Sequence, residues 1–187
     1  YRIKIANSVV ADGEVFPNQL LAMDSGMTTG DISGQLTRDP AFQQPAVWIE
    51  PDLHDRAKTL GYTPVEPAAI LATHLQEVVR RYADELLTRD SVKHLIDELK
   101  STSPAVVDEL IPEVMKLGEV QQVLQALLRE EVSIRQLAQI LETLGDFAPR
   151  TKDPIWLNEY VRQRLARSIC ARYRDEKNRI HVVTLDP

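Results

Sequence analysis

Histidine and cysteine, the residues that most often bind zinc or act as nucleophiles, are few and scattered in this sequence. Each stands apart from the others: His54, His74, His94, His181 and Cys170. A zinc site needs three or four nitrogen or sulfur ligands at short spacing, as in His-Glu-x-x-His, and one cysteine cannot form an internal disulfide. The sequence therefore predicts no metal site. Solvated or helix-capping roles are favoured for the histidines, and core packing is favoured for Cys170.

Motifs for catalysis and for phosphate binding are also missing from the sequence. Gly26, Gly30 and Gly34 are spaced by four residues, but no Lys-Ser/Thr pair follows them as in a phosphate-binding loop. Three pairs of titratable residues are candidates to meet on folding: His74 with Glu77, His54 with Asp55, and Cys170 with His181. Each is more typical of a surface pair or a core thiol than of a catalytic pair. We therefore expect no cofactor and no hydrolase, transferase or metal-dependent activity.

The composition is that of a globular protein without an affinity for nucleic acid. Of the 187 residues, 43% are hydrophobic, and 22 basic against 28 acidic side chains give a net charge of −6. Scattered cations in an acidic chain do not form the basic patch that a nucleic acid requires. No uncharged run approaches the ~20 apolar residues of a membrane span. The missing initiator Met and a strand-like C-terminal end predict an internal fragment, and the single cysteine fits a reducing, cytoplasmic setting.

The N-terminal third of the chain carries the period-two pattern of β-strands. Residues 1–5 alternate apolar and basic side chains, and Asp12-Gly13 predicts the turn of an N-terminal hairpin. Further strands are predicted over residues 19–23 and 46–49. Between them, the Gly-, Ser- and Thr-rich segment 24–44 predicts an irregular surface loop, which at this length is typically functional or mobile.

Helical periodicity dominates from residue 51 onward. Pro51 and Gly61 mark the ends of a short helix, because proline favours the first helical turn and glycine the residue after the last. The next helix starts near Pro67, and its predicted inward stripe consists of Leu71, Leu75, Val78, Tyr82 and Leu86. A longer helix begins at Asp153-Pro154, and residues 180–184 alternate as a closing strand. The expected fold class is therefore α+β.

Four shorter amphipathic helices are predicted between these two long ones, over residues 92–99, 103–111, 120–128 and 133–144. Ser133 and Gln136 form a capping-box pattern ahead of the last of them. Helices of about ten residues are marginal in water by themselves, so they must pack together. We expect a self-contained helical bundle over residues 87–166, whose interior includes Leu95, Ile96, Leu110, Val123, Leu124, Leu127, Leu137, Leu141 and Leu144.

Several strings of the sequence match, in order and spacing, those of one known family. In the N-terminal half they are Asp39-Pro40-Ala41-Phe42, Pro45-Ala46-Val47-Trp48-Ile49, Gly61-Tyr62-Thr63 and Ala72-Thr73-His74-Leu75. In the helical part they are residues 123–128, 131–135, 140–144, 148–149, 151–153 and 160–162. Across all 187 residues the chain resembles the cytoplasmic domain of the FlhA/SctV family of type III export-gate proteins.

The resemblance implies a piece of a larger assembly at the cytoplasmic face of the bacterial inner membrane. Family members join a membrane-spanning half to a cytoplasmic half, which forms a ring, usually of nine subunits, beneath the export channel. The cytoplasmic half has four subdomains. They imply that residues 1–17 and 67–86 belong to a first α/β subdomain, residues 18–66 to an inserted ferredoxin- or RRM-like one, residues 87–166 to a helical third, and residues 167–187 to the truncated start of a fourth.

The resemblance also implies a binding site. In the family, export chaperones that carry substrates dock in a hydrophobic dimple between the first two subdomains. The positions of this dimple correspond to a motif of three residues, Asp39, Phe42 and Thr73, and to three lining residues, Met23, Val65 and Ile70. At the rim, Ser25 stands where the family usually has proline.

Phe42 can also be interpreted from its own surroundings. It lies in a polar, Gly-rich stretch where periodicity requires no core aromatic, so an exposed ring beside the Asp39 carboxylate can anchor an amphipathic helix. Alternatively, Phe42 fills the core of its own subdomain, and Asp39 caps the turn before Pro40. The residues alone favour the second interpretation, whereas the resemblance favours the first.

The function implied by the resemblance is a docking platform of the flagellar export gate. Such a platform binds export chaperone–substrate complexes and other export-apparatus proteins, and it passes substrates to the membrane channel. The flagellar assignment depends on the strings Thr151-Lys152-Asp153-Pro154 and Ile180-His181-Val182-Val183-Thr184-Leu185-Asp186. A virulence-type secretion gate and an unrelated helical protein-interaction module are the alternatives.

Overall fold

The computed structural model describes residues 1–184, and within that range it has six β-strands and nine α-helices. The chain divides into a sheet unit, residues 1–81, and a helical unit, which begins at residue 82. The expected α+β fold class is confirmed. None of the helices in the described part of the chain combines the length and the apolar character needed to cross a bilayer.

A two-stranded hairpin opens the sheet unit, as the sequence predicts. Strand β1 (Arg2–Ile5) pairs with β2 (Ser8–Asp12), and Ile5 faces Ser8. The turn therefore lies at Ala6 and Asn7, whose φ angles of 46° and 68° are the positive values that tight hairpin turns require. The prediction of a turn at Asp12-Gly13 was wrong, because Asp12 is the last residue of the second strand and Gly13 follows it.

The second sheet has four antiparallel strands in the order β4-β5-β3-β6. They are β3 (Leu20–Asp24), β4 (Gln35–Arg38), β5 (Pro45–Ile49) and β6 (Tyr62–Val65). Strand β4 lies inside the segment that was predicted as an irregular loop, and that prediction was wrong at this point. The strand gives no hydrophobic signal because it is a four-residue edge strand whose only large apolar side chain, Leu36, is 84% exposed.

The two faces of the four-stranded sheet pack against different elements. A 3-10 turn (Pro51–Leu53) leads into α1 (His54–Thr59), and Gly61, with a φ of +88°, follows it as predicted. Alternate strand residues face α1 and form one core cluster: Leu20, Ala22, Ile32, Val47, Ile49, Ala57 and Tyr62. The other face packs against α2 (Pro67–Arg81) and contains Leu21, Ala46, Trp48 and Ile70.

Helix α2 presents a different face to the sheet from the one that its leucines suggested. Ile70, His74 and Val78 are its buried residues, at the i, i+4, i+8 spacing of one helix face. The predicted inward position of Val78 is confirmed, but that of Leu71 and Leu75 was wrong, since both are exposed. Tyr82 and Leu86, the last members of the predicted stripe, lie beyond the end of α2. The reason is tertiary: Ile70 completes the cluster around Trp48, and His74 has a buried hydrogen-bonding partner.

The helical unit contains seven helices in its described part. They are α3 (Ala83–Leu86), α4 (Arg89–Thr102), α5 (Pro104–Leu110), α6 (Leu117–Arg129), α7 (Leu137–Phe147), α8 (Pro154–Arg164) and α9 (Ala166–Arg172). Of the nine side chains predicted for the interior, eight are buried in one core and Leu95 packs against it partly buried. The prediction of the helical core is confirmed.

In the helical unit, one predicted helix end is correct and two are wrong. Asp153 caps α8 through its carboxylate, which accepts a hydrogen bond from the Ile155 amide at 2.9 Å, as the Asp-Pro pattern predicts. Helix α7 starts at Leu137, not at the predicted cap Ser133. The chain leaves α6 through Glu131, whose φ is 56°, and residues 132–136 have no regular structure. The predicted long helix is divided at Leu165 into α8 and α9.

The predicted closing strand is not formed within the described residues. Ile180 makes an isolated bridge to Arg174, and the chain beyond it has no regular pairing up to Thr184. Val183 is 98% exposed, which shows that alternation alone does not make a strand where no neighbouring strand accepts its hydrogen bonds. The remainder of that prediction, Leu185 and Asp186, lies outside the described residues.

Candidate functional site

The turn between β4 and β5 presents Phe42 at the surface of the sheet unit. The Asp39 carboxylate accepts a hydrogen bond from the Phe42 amide at 2.6 Å, and backbone bonds link Asp39 to Gln43 and Gln44, each at 2.9 Å. Arg38 donates from its guanidinium to the Gln43 carbonyl at 2.7 Å. These bonds close the turn on the inside, so the Phe42 ring projects outward.

Burial distinguishes the two interpretations of this turn. Asp39 is only 3% exposed and caps the turn, as the second interpretation requires of it. Phe42, however, is 51% exposed and therefore does not fill the core of the sheet unit. A buried carboxylate thus holds the backbone in place while the aromatic ring next to it stays accessible to a partner.

Three of the predicted lining residues belong to one apolar cluster beside this turn. Met23 pairs with Ala46 in β5 and with Thr63 in β6, at the same end of the sheet as the β4–β5 turn. Met23 and Val65 are partly buried, and both pack against the cluster that contains Ile70. Ile70 is buried, so it does not itself line the surface.

Thr73 lies on α2, partly exposed, immediately before His74. His74 is buried, and its Nδ1 atom lies 2.6 Å from the Tyr1 hydroxyl. The two rings meet edge to face, with centroids 5.7 Å apart. The expectation of a solvated His74 paired with Glu77 was wrong, since Glu77 binds Arg80 instead, at 2.5 Å.

The electrostatics connect the turn to α2 through Tyr1. Burial raises the pKa of the Tyr1 hydroxyl, and the negative charges of Asp39 and then Asp12 raise it further. Asp39 therefore acts on the side chain that contacts His74, next to Thr73. The Tyr1–His74 contact was missed by sequence reasoning, although the spacing of Ile70, His74 and Val78 gave a signal that His74 faces inward.

The arrangement is suited to binding. In residues 1–184, no group of three or more histidine, cysteine and acidic side chains could hold a metal ion. His54 lies 2.8 Å from Asp55, and His181 lies 3.0 Å from Asp175, within hydrogen-bonding distance in each case. What the sheet unit presents is a half-exposed aromatic ring on the β4–β5 turn and, on one face of the sheet, the partly buried apolar side chains of Met23 and Val65. Accessible apolar side chains are typical of protein-binding surfaces.

A second concave region lies in the helical unit, and sequence reasoning gave no signal for it. It is a cavity of about 260 Å³ beside the connection between α6 and α7. Its apolar lining is formed by Val132, Leu165, Ile169 and Tyr173. At its rim, the Arg172 guanidinium lies 2.8 Å from the Glu131 carboxylate.

A family model and individual proteins of the same family both match this chain. The FHIPEP family model matches residues 1–187. The flagellar biosynthesis protein FlhA of Treponema pallidum is 48% identical over 189 residues, which cover the whole of this chain and 26% of that protein. The chain thus spans about a quarter of the length of this relative.

Two solved structures are similar in fold. The Chlamydia pneumoniae CdsV protein is 23% identical, with a TM-score of 0.81, over all of this chain and 58% of its own. The nonameric cytosolic domain of EscV from the type III secretion system is 23% identical, with a TM-score of 0.64, over 88% of this chain and 49% of its own. At this level of identity the structures show a shared fold.

Proposed function

The chain belongs to the FHIPEP family, and we propose on that basis that it forms part of a flagellar type III protein export gate. Its role there is to dock export chaperone–substrate complexes and to pass the substrates to the membrane channel. The observation that carries this proposal is Phe42, half-exposed on a turn that the buried Asp39 carboxylate closes. The location that follows is the cytoplasmic face of the bacterial inner membrane.

Burial of apolar side chains would stabilise a partner docked on this surface. An amphipathic helix of the chaperone can place its apolar face over the Phe42 ring and over the accessible parts of Met23 and Val65. Asp39 would act indirectly, because its carboxylate already binds the Phe42 amide and so fixes the direction of the ring. Thr73 offers a hydroxyl group at the edge, where a polar contact can set the orientation of the bound helix.

The assembly belongs to the same proposal. The cytosolic domain of EscV is nonameric, and we propose for this chain too a homo-oligomeric ring of nine subunits in the longer protein. Other export-apparatus proteins would bind the same ring. The proposal includes no catalytic step, metal, cofactor or nucleic acid.

The flagellar gate is preferred to the alternatives for one reason. The relative from Treponema pallidum is a flagellar protein at 48% identity, whereas the secretion proteins that share the fold are at 23%. A virulence-type gate is therefore the second candidate. Membership of the family removes the third, an unrelated helical interaction module.

Substitution of Phe42 by alanine tests the docking site. We expect Phe42→Ala to weaken binding of a labelled chaperone–substrate complex by about 2–4 kcal/mol, the range found when an anchoring side chain is truncated. Fluorescence titration of the 187-residue chain measures this change. Leu36→Ala is the matched control, because Leu36 is an exposed apolar residue of the same hairpin, directed to the opposite face of the sheet.

The outcomes separate a docking site from a structural one. Loss of affinity in Phe42→Ala with normal affinity in Leu36→Ala supports the proposal. Equal affinity of both variants and the unchanged chain would contradict it. A lower denaturation midpoint for Phe42→Ala, with normal binding by the folded fraction, would assign Phe42 to the core.

A further inference from the structure

Tyr1 is held from two directions inside the sheet unit. Its hydroxyl lies 2.6 Å from Nδ1 of His74 on α2. Its backbone exchanges two hydrogen bonds with Gly13, at 2.8 and 3.2 Å, beyond the end of β2. A side chain at position 13 would meet the ring, because a Cβ atom there would lie 2.6 Å from the Tyr1 hydroxyl oxygen.

Two carboxylates act electrostatically on this contact. His74 faces the Tyr1 hydroxyl from α2, Asp39 acts on it from the β4–β5 turn, and Asp12 acts on it from β2. Burial, together with the two carboxylates, raises the pKa of the phenol above its ordinary value. The carboxylates therefore oppose ionisation of the hydroxyl that is hydrogen-bonded to His74.

The hydrogen bonds of Tyr1 join α2 to the N-terminal hairpin. The Tyr1 hydroxyl is hydrogen-bonded to His74, next to Thr73, and the Tyr1 backbone is bonded to Gly13. We propose that Tyr1 and His74 are positioning residues, whose hydrogen bond ties α2 to the N-terminal hairpin and so holds Thr73 in place for the docked partner. The Asp39 charge, which raises the pKa of the Tyr1 hydroxyl, is a second influence on the same contact. This inference rests on the proposed docking function.

A buried hydrogen bond is suited to this role because its loss is costly on both sides. Without the phenol, His74 keeps a buried nitrogen that has lost its partner, and relaxation of α2 or of the hairpin is the way to hydrate it. Either movement displaces Thr73 relative to Phe42. The predicted defect is therefore in affinity more than in folding.

Tyr1→Phe removes the hydroxyl and keeps the ring against Gly13. We expect this variant to bind the chaperone–substrate complex about three- to ten-fold more weakly, the effect of one lost hydrogen bond. Tyr62→Phe is the matched control, since Tyr62 is buried in the cluster on the opposite face of the same sheet. Its affinity should equal that of the unchanged chain.

A double variant separates positioning from simple destabilisation. His74→Leu should weaken binding like Tyr1→Phe, and the combination of both should bind no more weakly than either alone, because neither partner is then left unsatisfied. The urea midpoint of each variant is measured alongside. Additive losses in affinity, or a lower midpoint with unchanged affinity of the folded fraction, would overturn the inference.

A spectroscopic measurement tests the link to Asp39 without any ligand. The ultraviolet absorbance of tyrosinate is followed during alkaline titration, and the Tyr1→Phe curve is subtracted to isolate Tyr1. Asp39→Asn should shift this isolated titration to lower pH, because it removes a negative charge that opposes ionisation. An unchanged titration would refute the coupling.

Failure of this inference can be distinguished from failure of the docking function. If Phe42→Ala loses affinity and Tyr1→Phe does not, docking stands and the positioning role is refuted. If neither variant loses affinity, the docking site and the inference built on it are both refuted. If both lose affinity and the Tyr1 titration responds to Asp39→Asn, both are supported.

Discussion

The core of the helical unit and the β4–β5 turn of the sheet unit treat large apolar side chains in opposite ways. The helical unit gathers them from α4 to α9 into one core, and residues such as Leu124 and Leu141 have no exposed surface. The sheet unit buries a carboxylate, Asp39, and leaves the aromatic ring three residues later half-exposed. Such an inversion costs stability, so a protein retains it where the exposed group has a use. The contrast is the one expected under the proposed docking function, in which the turn recognises the partner and the helical core acts as a scaffold.

The strongest test of this contrast compares two truncations of similar size. Leu124→Ala in the helical unit should lower the free energy of unfolding by about 2–5 kcal/mol, because it leaves a cavity in a closed core. Phe42→Ala in the sheet unit should lower it by about 1 kcal/mol or less, because the ring is already half-solvated. Urea denaturation of both variants gives the two values. Similar losses would abolish the distinction between scaffold and recognition surface.

A smaller effect is expected when the buried carboxylate of the turn is removed. Asp39→Ala should lower the free energy of unfolding by about 1–3 kcal/mol, since the Phe42 amide loses a charged hydrogen-bond acceptor. Denaturation of the same kind measures it, with Asp31→Ala as the control for an exposed carboxylate in the preceding segment. If Asp39→Ala is as mild as Asp31→Ala, the carboxylate does not hold the turn.

The smallest effect is expected on the outer surface of the helical unit. Lys93 and Asp97 form an ion pair at 2.9 Å on α4, with more than half of each side chain exposed. Asp97→Asn should change the free energy of unfolding by only about 0.3–0.5 kcal/mol, and the difference should decrease in high salt. A double-mutant cycle with Lys93→Gln isolates the pair. A coupling well above this range would show that surface charge also supports the scaffold.

The core of the helical unit could be predicted from the sequence more completely than the packing of the sheet unit. The core of the helical unit follows from the 3.6-residue period, because each helix buries one continuous stripe, and only Leu95 is less buried than predicted. In the sheet unit, α2 has leucines on its exposed face and a histidine on its buried one. Periodicity ranks leucine as the inward residue, and this preference outweighed the weaker signal from the spacing of Ile70, His74 and Val78.

The candidate site shows a similar limit. Asp39, Phe42 and Thr73 were identified through a resemblance, and the residues alone favoured a buried Phe42. The contact between Tyr1 and His74 joins residues 73 positions apart, and no local pattern encodes it. The short strand β4 was missed for the opposite reason: it is local, but its single large apolar side chain faces solvent, so the alternation that marks a strand is absent.

The two edge strands of the four-stranded sheet are poorly suited to pair with a strand from another molecule. Strand β4, at one edge, has four residues and ends just before the turn that contains Pro40; strand β6, at the other edge, carries Pro64 opposite Ala22. Proline has no N–H to donate, and a very short strand offers few groups for pairing. Neither edge is therefore a good template for a strand from another molecule. Many copies can stand side by side at high local concentration without merging into an intermolecular sheet.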